Sequence, residues 1–357
     1  MKRVFTGLLV LLILLAAGAY VARGAIALRI MERRLDTAMA HPVVPTLKDG
    51  LHVAICGAGG PFPDHDRGGP CTAVIAGKRM FIVDTGEAAG RTLGRMGLFG
   101  SDFVVLLTHF HSDHIDGLGN VALQRWGGGN LTTPLQLYGP AGVERVAAGF
   151  TEAYALDSGY RTAHHGPKIM PPSAAGIQPR AFAIPDGQDS VVVLEEDGVK
   201  ITAFRVNHGP IDPAVGYRFD YKGRSVVISG DTAPSPVVAK YARGVDLLVH
   251  EALSPTLVNL IREASLRTGN AKRAQIMQDI QNYHTSPEAA AAIARDDKVG
   301  ALLLNHIVPP LPLKALEGPF LGDARKVFTG PLWIARDGDL IDLPAGDKTI
   351  TRTSLLR

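Results

Sequence analysis

The feature that most constrains this chain is a histidine-rich run, THFHSDH at 108–114, that follows a short apolar segment. The apolar segment is continuous and rich in Val and Leu, which is typical of a buried strand. Alternate residues near a strand end point the same way, so His109 and His111 are expected to converge on one point. Asp113 and His114 are expected to face a second point nearby. Imidazole and carboxylate groups are good Zn²⁺ ligands, and this dense spacing predicts a metal site rather than isolated structural histidines.

Other polar residues also follow apolar segments that resemble strands. The sequence predicts strands that end at His208, Asp231, Glu251 and His306. Side chains at one edge of a sheet can converge although they are far apart in sequence. We therefore expect these four residues to join His109 at a common edge.

Five motifs, taken in this order, resemble the metallo-β-lactamase superfamily, and within it the branch of ribonuclease Z and the zinc-dependent arylsulfatases. They are HFHSDH at 109–114, NHGP with GYRF at 207–219, SGDT at 229–232, HEA at 250–252, and HTSPEAA at 284–290 with NH at 305–306. The resemblance implies an α/β fold, a four-layer αβ/βα sandwich with one or two metals at the edge between two sheets. An N-terminal hydrophobic helix would precede it.

The resemblance also implies two Zn²⁺ per chain, held by seven side chains. The first zinc would take His109, His111 and His208, the second would take Asp113, His114 and His306, and Asp231 would bridge the two. Seven ligands for two metals leave positions open for a bridging hydroxide and for the substrate.

Two more residues are implied as catalytic groups. His284 resembles the proton-donating histidine of that branch, with Glu251 as its orienting partner. Asp113 is assigned to the catalytic group as well as to the ligands. Ser286 and Pro287 are suited to begin a helix directly after His284.

Two features before the metal motif also match the superfamily. Asp84 follows a predicted strand, where it would orient the metal loop or cap a turn, and the two roles are compatible. The glycine-rich turn 57–63 is not a phosphate loop, because no Gly-Lys-Ser/Thr follows it; in the resembling family such a turn lies beside the active site. His65, in the next loop, is expected to be solvated, with a contact to the substrate as the alternative.

The amino terminus predicts export. Residues 4–22 contain no charged side chain and follow Lys2 and Arg3, and nineteen apolar residues just suffice to span a bilayer. We favour an uncleaved anchor, because the sequence stays helical in character to about Met39; cleavage after 17–19 is the alternative. The domains are then 1–40 and 41–357. The catalytic domain would lie at the periplasmic face of the inner membrane or, if cleaved, be periplasmic or secreted, although arginines after the apolar run oppose this orientation.

The charge is distributed unevenly along the chain. Residues 1–40 hold six Lys/Arg and two Asp/Glu, a net charge of +4, so the net charge of +3 for the whole chain leaves −1 for residues 41–357. Nucleic-acid enzymes normally need a basic field. This average argues against a nucleic acid as substrate, although a local basic patch would permit one. The sequence also contains no glycine- and proline-rich arm of the kind that grips transfer RNA.

Three secondary predictions concern less regular parts of the chain. We expect Cys56 and Cys71 to be buried free thiols, with a disulfide as the alternative. Residues 155–180 lack clear periodicity and predict an irregular functional loop, whose paired histidines at 164–165 would line the pocket without binding metal. The tail predicts a terminal hairpin through Asp337-Gly338.

Together these observations favour a dinuclear zinc hydrolase that uses a metal-bridging hydroxide to cleave a small phosphodiester or aryl sulfate ester outside the cytosol. One alternative is an RNA 3′-processing endonuclease like ribonuclease Z. Others are a β-lactam or lactone hydrolase and a non-enzymatic, membrane-tethered metal-binding protein. The sequence leaves a homodimer open, and it implies a membrane contact through residues 4–22 if they are not cleaved.

Overall fold

The computed structural model describes residues 2–40, 43–129 and 131–356, and the chain divides into two compact units, Met1–Thr46 and Leu47–Arg357. The first unit contains helix α1 (Lys2–Ala40), which confirms the helix predicted to run to about Met39. Its segment Val4–Asp36 has a mean hydropathy of 2.5 in its most apolar window, and its side chains are exposed. By length and composition alone, this helix could cross a membrane.

A linker with two helix-breaking prolines was predicted for residues 41–50. Residues 41 and 42 lie outside the described residues, but helix α2 (Val43–Thr46) follows directly, so that prediction is wrong in part. Pro45 is tolerated because it lies in the first turn of α2, where its missing N–H would have had no helical acceptor.

The second unit alternates strands and helices. Its strands are β1 (Gly50–Gly57), β2 (Cys71–Ala76), β3 (Arg79–Val83), β4 (Phe103–Leu106), β5 (Leu135–Pro140), β6 (Ile177–Phe182), β7 (Ser190–Glu196), β8 (Val199–Arg205), β9 (Val215–Tyr221), β10 (Arg224–Ile228), β11 (Leu247–Leu253), β12 (Ala301–Val308), β13 (Leu332–Ile334), β14 (Asp339–Pro344) and β15 (Thr351–Ser354). Its helices are α3 (Ala89–Arg95), α4 (Ser112–Ile115), α5 (Leu118–Gly128), α6 (Val143–Ala153), α7 (Ala155–His165), α8 (Pro236–Ala242), α9 (Pro255–Arg267), α10 (Ala271–Asp279), α11 (Pro287–Asp296), α12 (Glu317–Leu321) and α13 (Ala324–Val327).

The strands form two sheets. Within the described residues, one sheet has eight strands in the order β15-β14-β1-β2-β3-β4-β5-β6, and the other has seven in the order β13-β12-β11-β10-β9-β8-β7. Strands β3 to β6 are parallel in the first sheet, and β10 to β13 are parallel in the second. The carboxyl ends of parallel strands meet at one edge of a sheet, which is where ligands bind in such sheets.

The two sheets pack face to face through a shared apolar core. Phe81 of β3 and Phe219 of β9 are fully buried, and their ring centroids lie 5.9 Å apart. Helices cover the outer faces: buried alanines of α11, such as Ala290, pack with Leu302 of β12 beneath them. The arrangement is helix, sheet, sheet, helix, so the predicted four-layer αβ/βα sandwich is confirmed.

The prediction of an irregular functional loop at 155–180 is wrong. Residues 155–165 form α7, and 177–182 form β6. No residue of α7 is buried, and its apolar side chains Leu156 and Tyr160 are exposed, so this helix contributes no face to the core. His164 and His165 lie at the exposed end of α7, with ring centroids 4.6 Å apart, and they do not belong to the groups that could hold a metal.

The expectation of free thiols is also wrong, because Cys56 and Cys71 form a disulfide. Strands β1 and β2 are antiparallel neighbours, and Gly57, next to Cys56, pairs with Cys71. This register brings the two Cα atoms to 4.9 Å, within the span that a disulfide bridges.

The terminal hairpin is displaced from its predicted position. The strands on either side of Asp337-Gly338 belong to different sheets, since β13 pairs with β12 and β14 pairs with β1. The antiparallel hairpin at the end of the chain is β14–β15. Asp337 lies in a tight turn, closed by the N–H of Asp339 donating to the carbonyl of Arg336 at 3.1 Å, but this turn crosses between the sheets and does not join a hairpin.

Candidate dinuclear metal centre

The predicted ligands converge at one edge of the sandwich. His109 and His111 lie on the loop that follows β4, and α4 then carries Asp113 and His114. The other three ligands come from the second sheet: His208 follows β8, Asp231 follows β10, and His306 lies within β12. Glu251 lies within β11, so β11 and β12 run further than predicted, past the functional residue.

Three histidines form the first ligand group, which we call group A: His109, His111 and His208. The Nε2 atom of His109 lies 3.0 Å from Nδ1 of His111, and Nε2 of His208 lies 3.4 Å from the same Nδ1 atom. Two imidazole nitrogens at such distances face a common point. His109 and His208 are almost fully buried, whereas His111 is partly exposed.

Asp113, His114 and His306 form the second group, which we call group B. Oδ2 of Asp113 lies 3.2 Å from Nε2 of His306 and 3.6 Å from Nε2 of His114. The rings of His114 and His306 are stacked, with centroids 5.3 Å apart. The side chains of group B thus lie together, as those of group A do, and their assignment to two metals stays a prediction.

Asp231 lies between the two groups. Its Oδ2 atom is 3.3 Å from Nε2 of both His114 and His306, and 3.9 Å from Nε2 of both His109 and His208. One carboxylate oxygen thus faces both groups, which is the placement expected of a bridging ligand.

Hydrogen bonds to residues outside the two groups fix the tautomers of the histidine ligands. His114 Nδ1 donates to Oδ2 of Asp84 at 2.9 Å, and Asp84 also accepts from the backbone N–H and the hydroxyl of Thr108, each at 2.8 Å. His208 Nδ1 donates to the carbonyl of Tyr283 at 3.1 Å, and His109 Nδ1 to the hydroxyl of Thr108 at 3.1 Å. Each bond leaves Nε2 free, as a metal ligand requires.

Two residues of this region, the ligand His306 and the Asp84 that orients His114, have unusual backbone geometry. Asp84 has a φ of 59° and His306 a φ of 46°. His306 also stands where the β11–β12 register is irregular, between the Glu251 and Ala252 pairings. Non-glycine residues in this region cost energy and cluster at functional sites. The extra residue in β12 is what turns the His306 side chain toward Asp113.

His284 and Glu251 meet beside the ligands. His284 Nδ1 donates to Oε1 of Glu251 at 3.2 Å, and Thr285 N–H donates to the same oxygen at 2.8 Å. His284 precedes α11, and Ser286 caps that helix by accepting from the N–H of Ala289, as predicted. The ring of His284 is stacked on His306, with centroids 5.6 Å apart.

The charge states suit these roles. Burial and the neighbouring histidines lower the pKa of His109 well below its usual value, so this ring is neutral. Burial opposes ionisation of Asp231, but His306 and His114 outweigh it and hold the Asp231 pKa well below its usual value. Burial likewise opposes protonation of His284, but the Glu251 carboxylate outweighs it and raises the pKa to about 9.

The donor set fits divalent metal ions. Within the part of the chain that the structure describes, His114 Nε2 and Asp231 Oδ1 are buried and have no hydrogen-bond partner. Such atoms are costly unless something satisfies them. Imidazole nitrogens and carboxylate oxygens in two groups that share Asp231 are suited to Zn²⁺ at both positions.

His284 also has geometry compatible with metal binding. With Asp231 and His306 it forms a third trio whose potential ligand atoms lie within 4.8 Å of one another. Its Nδ1 atom is engaged by Glu251, and groups A and B are complete without it. His284 is therefore placed where a proton donor outside groups A and B could act.

Some contributions to the site could not be identified from residue types. Tyr283 acts through its backbone carbonyl, and the fully buried hydroxyl of Tyr217 donates to the carbonyl of Leu107 at 2.6 Å, which holds the strand end before the metal loop. Tyr217 belongs to the GYRF motif, which is the only signal for it. His65 is exposed, as predicted.

The chain is similar in sequence to known proteins. Residues 102–307 match the family model described as a beta-lactamase superfamily domain. The chain is 36% identical over 294 residues to ribonuclease Z of Mycobacterium avium (strain 104), covering 80% of this chain and 96% of the relative. It is 37% identical over 298 residues to ribonuclease Z of Mycolicibacterium paratuberculosis (strain ATCC BAA-968 / K-10), with the same two coverages.

Solved structures show the same fold. A metallo-beta-lactamase fold protein of Bacillus subtilis has a TM-score of 0.59 at 20% identity and covers 82% of this chain and 100% of its own. The short form of human tRNase Z has a TM-score of 0.57 at 19% identity and covers 82% and 99%.

Proposed function

This chain belongs to the metallo-β-lactamase superfamily, in its ribonuclease Z branch, and on that premise we propose that it is a two-metal phosphodiesterase that cleaves RNA. The observation that carries the proposal is the convergence of groups A and B on Asp231, with the His284–Glu251 pair beside them. The match to the relatives named ribonuclease Z covers 96% of their length. It favours RNA over the small exported ester that the apolar N-terminal segment and the near-neutral charge of residues 41–357 favoured.

The chain's own residues divide the work. Groups A and B would hold two Zn²⁺, and bound metal would supply Lewis acidity that lowers the pKa of water and offsets charge on the phosphate oxygens. Protonated His284 would give its proton to the departing oxygen. Glu251 holds Nδ1 of that ring, so Nε2 is the atom left to donate. Buried His109 and His208 keep bulk water from one side of the centre.

The metal content is the first test. Full-length protein, stripped with a chelator and reconstituted with zinc, is expected to bind close to two zinc ions per chain by elemental analysis. Less than half an equivalent would refute the dinuclear proposal.

The substrate is the second test. We expect the zinc-loaded protein to release the 3′ trailer from a transfer-RNA precursor faster than it hydrolyses bis(nitrophenyl) phosphate, nitrophenyl sulfate or a chromogenic cephalosporin. The Asp231→Ala variant is the matched control for contaminating nuclease. A cephalosporin or an aryl sulfate as the best substrate would overturn the RNA proposal. If none of these substrates is hydrolysed, the proposal that the protein is a hydrolase is wrong.

A second candidate is a smaller phosphodiester with an apolar group, cleaved outside the cytosol. Helix α1 supports it by its length and apolar composition, and so does the Cys56–Cys71 disulfide, since disulfides persist in oxidising compartments. A largely apolar groove of about 630 Å³ is lined by Leu257, Leu260 and several prolines, among them Pro309, three residues beyond His306; the polar part of its lining is residues 64–66. A groove of this chemistry would accept an acyl or aryl group.

Location separates the two candidates. A reporter that is active only outside the cytosol, fused after Arg357, is expected to be active if the catalytic unit is exported. Activity of a cytosol-only reporter would refute export and leave RNA as the sole candidate of the two.

A further inference from the structure

One half-buried carboxylate lies outside the ligand groups yet joins segments that border them. Asp337, in the crossing between β13 and β14, accepts the backbone N–H of Ala58 at Oδ1 (3.0 Å) and that of Gly68 at Oδ2 (2.9 Å). Ala58 and Gly68 are the two ends of one loop, and the N–H of Gly59 closes it by donating to the carbonyl of Gly68 at 2.8 Å. A single side chain thus fastens both ends of the loop. We call residues 57–70 the glycine loop.

The first end of the glycine loop lies against His306. The N–H of Ile307 donates to the carbonyl of Ala58 at 2.9 Å, directly beside the irregular β12 residue. A Cβ atom on Gly60 would lie 3.0 Å from Cε1 of His306 and 2.7 Å from Cγ2 of Val308. The glycine therefore lets the loop backbone support the imidazole ring directly.

The second end lies against Asp113. A Cβ atom on Gly69 would lie 3.0 Å from the carbonyl oxygen of Asp113, and one on Gly86 would lie 2.3 Å from the same oxygen. The glycine loop is also tied to the segment around Gly86, because the N–H of Gly86 donates to the carbonyl of Pro70 at 2.9 Å. The loop thus contacts two ligands of group B, whereas the outer partners found for His109 and His208 come from Thr108 and Tyr283.

From this geometry we propose that Asp337 is a positioning residue for group B. It holds the glycine loop closed against His306 and Asp113 and so sets the affinity of the metal bound there, with no direct contact to metal or substrate. The loop supplies what His306 otherwise lacks: the Nδ1 atom of this ring has no hydrogen-bond partner among the described residues, so packing rather than a hydrogen bond fixes its orientation.

The free-energy cost of holding a charged carboxylate at Asp337 is consistent with a functional role. Burial raises the pKa of Asp337 to about 6, against the opposing effect of the two N–H donors, so the group is ionised at neutral pH in surroundings that disfavour its charge. Asparagine at this position has nearly the same shape but one acceptor oxygen, so it can satisfy only one of the two N–H groups.

The experiment compares stepwise zinc affinities of full-length Asp337→Asn and wild type, measured in competition with a chromogenic chelator. We expect one of the two affinities to fall by about 10–100-fold, the usual effect of losing an outer-shell partner, with the other unchanged. At limiting free zinc, the variant should hold one ion per chain where wild type holds two.

Asp339→Asn is the matched control. Asp339 is a buried carboxylate two residues away that accepts from the backbone N–H of Arg336 and pairs with Arg352, with no contact to the glycine loop. It should lower the melting temperature and leave both zinc affinities unchanged. If Asp337→Asn weakens both sites equally, or neither, the proposal is wrong.

A second variant covers the case in which Asp337→Asn does not fold. Gly60→Ala leaves Asp337 in place and displaces the loop from His306, so it should weaken the same single site. Normal affinities in Gly60→Ala would overturn the proposal, whereas less than half a zinc ion in wild type would instead refute the dinuclear function.

Discussion

Groups A and B are similar in size but are supported in different ways. In group A, His109 is oriented by its chain neighbour Thr108, and His208 by a backbone carbonyl. In group B, His114 depends on the distant carboxylate of Asp84, and His306 stands on a strand irregularity with a φ of 46°. The partners of group A are therefore a hydroxyl and a backbone carbonyl, whereas group B relies on a carboxylate and on an unusual backbone conformation.

The difference predicts that the two metal positions respond differently to outer changes. A side-chain carboxylate that orients a ligand can be removed by one substitution that leaves every ligand in place, whereas the backbone carbonyl that holds His208 cannot. Asp231 is the exception, because one of its oxygens faces both groups.

The largest effect is expected from Asp231→Ala, which should abolish the difference between the groups. Both zinc affinities should fall by more than about 100-fold, because a shared ligand is removed. Loss of a residue that only hydrogen-bonds to a ligand costs about 10–100-fold. Chelator competition measures this, and retention of one tightly bound zinc ion would show that Asp231 does not bridge.

His284→Ala tests whether group B has a further ligand. We expect turnover of alkyl phosphodiesters to fall by about 10²–10⁴-fold, the range for positioned acid catalysis. Nitrophenyl esters should lose much less, because nitrophenolate needs no proton to depart. Zinc content should stay at the wild-type value. If the variant instead loses one zinc ion, His284 is a metal ligand, and the assignment of His306 as ligand and His284 as proton donor is wrong.

The convergence of the candidate ligands could be predicted from sequence because His109, His208 and Asp231 come after apolar strands. The run at 109–114 contributes four candidate ligands, and the remaining three lie in motifs that keep their order along the chain. Parallel strands carry their carboxyl ends to one edge, so residues such as His208 and His306 converge even though almost a hundred positions separate them.

The parts that could not be predicted depend on non-local pairing. The partner of each strand beside Asp337-Gly338 lies far away in the chain, so a local turn signal indicated a hairpin where the chain changes sheets. The disulfide depended on the register of β1 and β2. Helix α7 was missed because none of its side chains is buried. Asp337 was missed because it binds backbone N–H groups, which nearly every residue has and which leave no signal in the sequence.

Asp84→Asn sharpens the comparison from the side of group B. Asparagine would retain one oxygen for Thr108 but turn an amide toward His114 Nδ1, which is itself a donor. We expect about a 10–100-fold weaker affinity at one zinc site only, measured by the same competition. Asp102→Asn, which alters the Arg125 ion pair before the start of β4, is the control and should change neither affinity.

The smallest effect is a displacement along the pH axis from Glu251→Gln. Glu251 is the largest of the groups that raise the pKa of His284, and its carboxylate outweighs the burial that opposes protonation. Removing an adjacent opposite charge lowers a histidine pKa by about 1–3 units. Since the protonated ring is the active form, activity is lost as pH rises through this pKa, and the alkaline limb should therefore move to lower pH by about that amount. The measurement is kcat against pH for an alkyl diester at saturating zinc.

The double variant Glu251→Gln/His284→Ala is the control. It should show no further displacement of the alkaline limb relative to His284→Ala, because no imidazole remains at position 284 to titrate. An unmoved limb in the single variant would mean that Glu251 orients Thr285 and Thr232, whose N–H groups it also accepts, without setting the charge of His284.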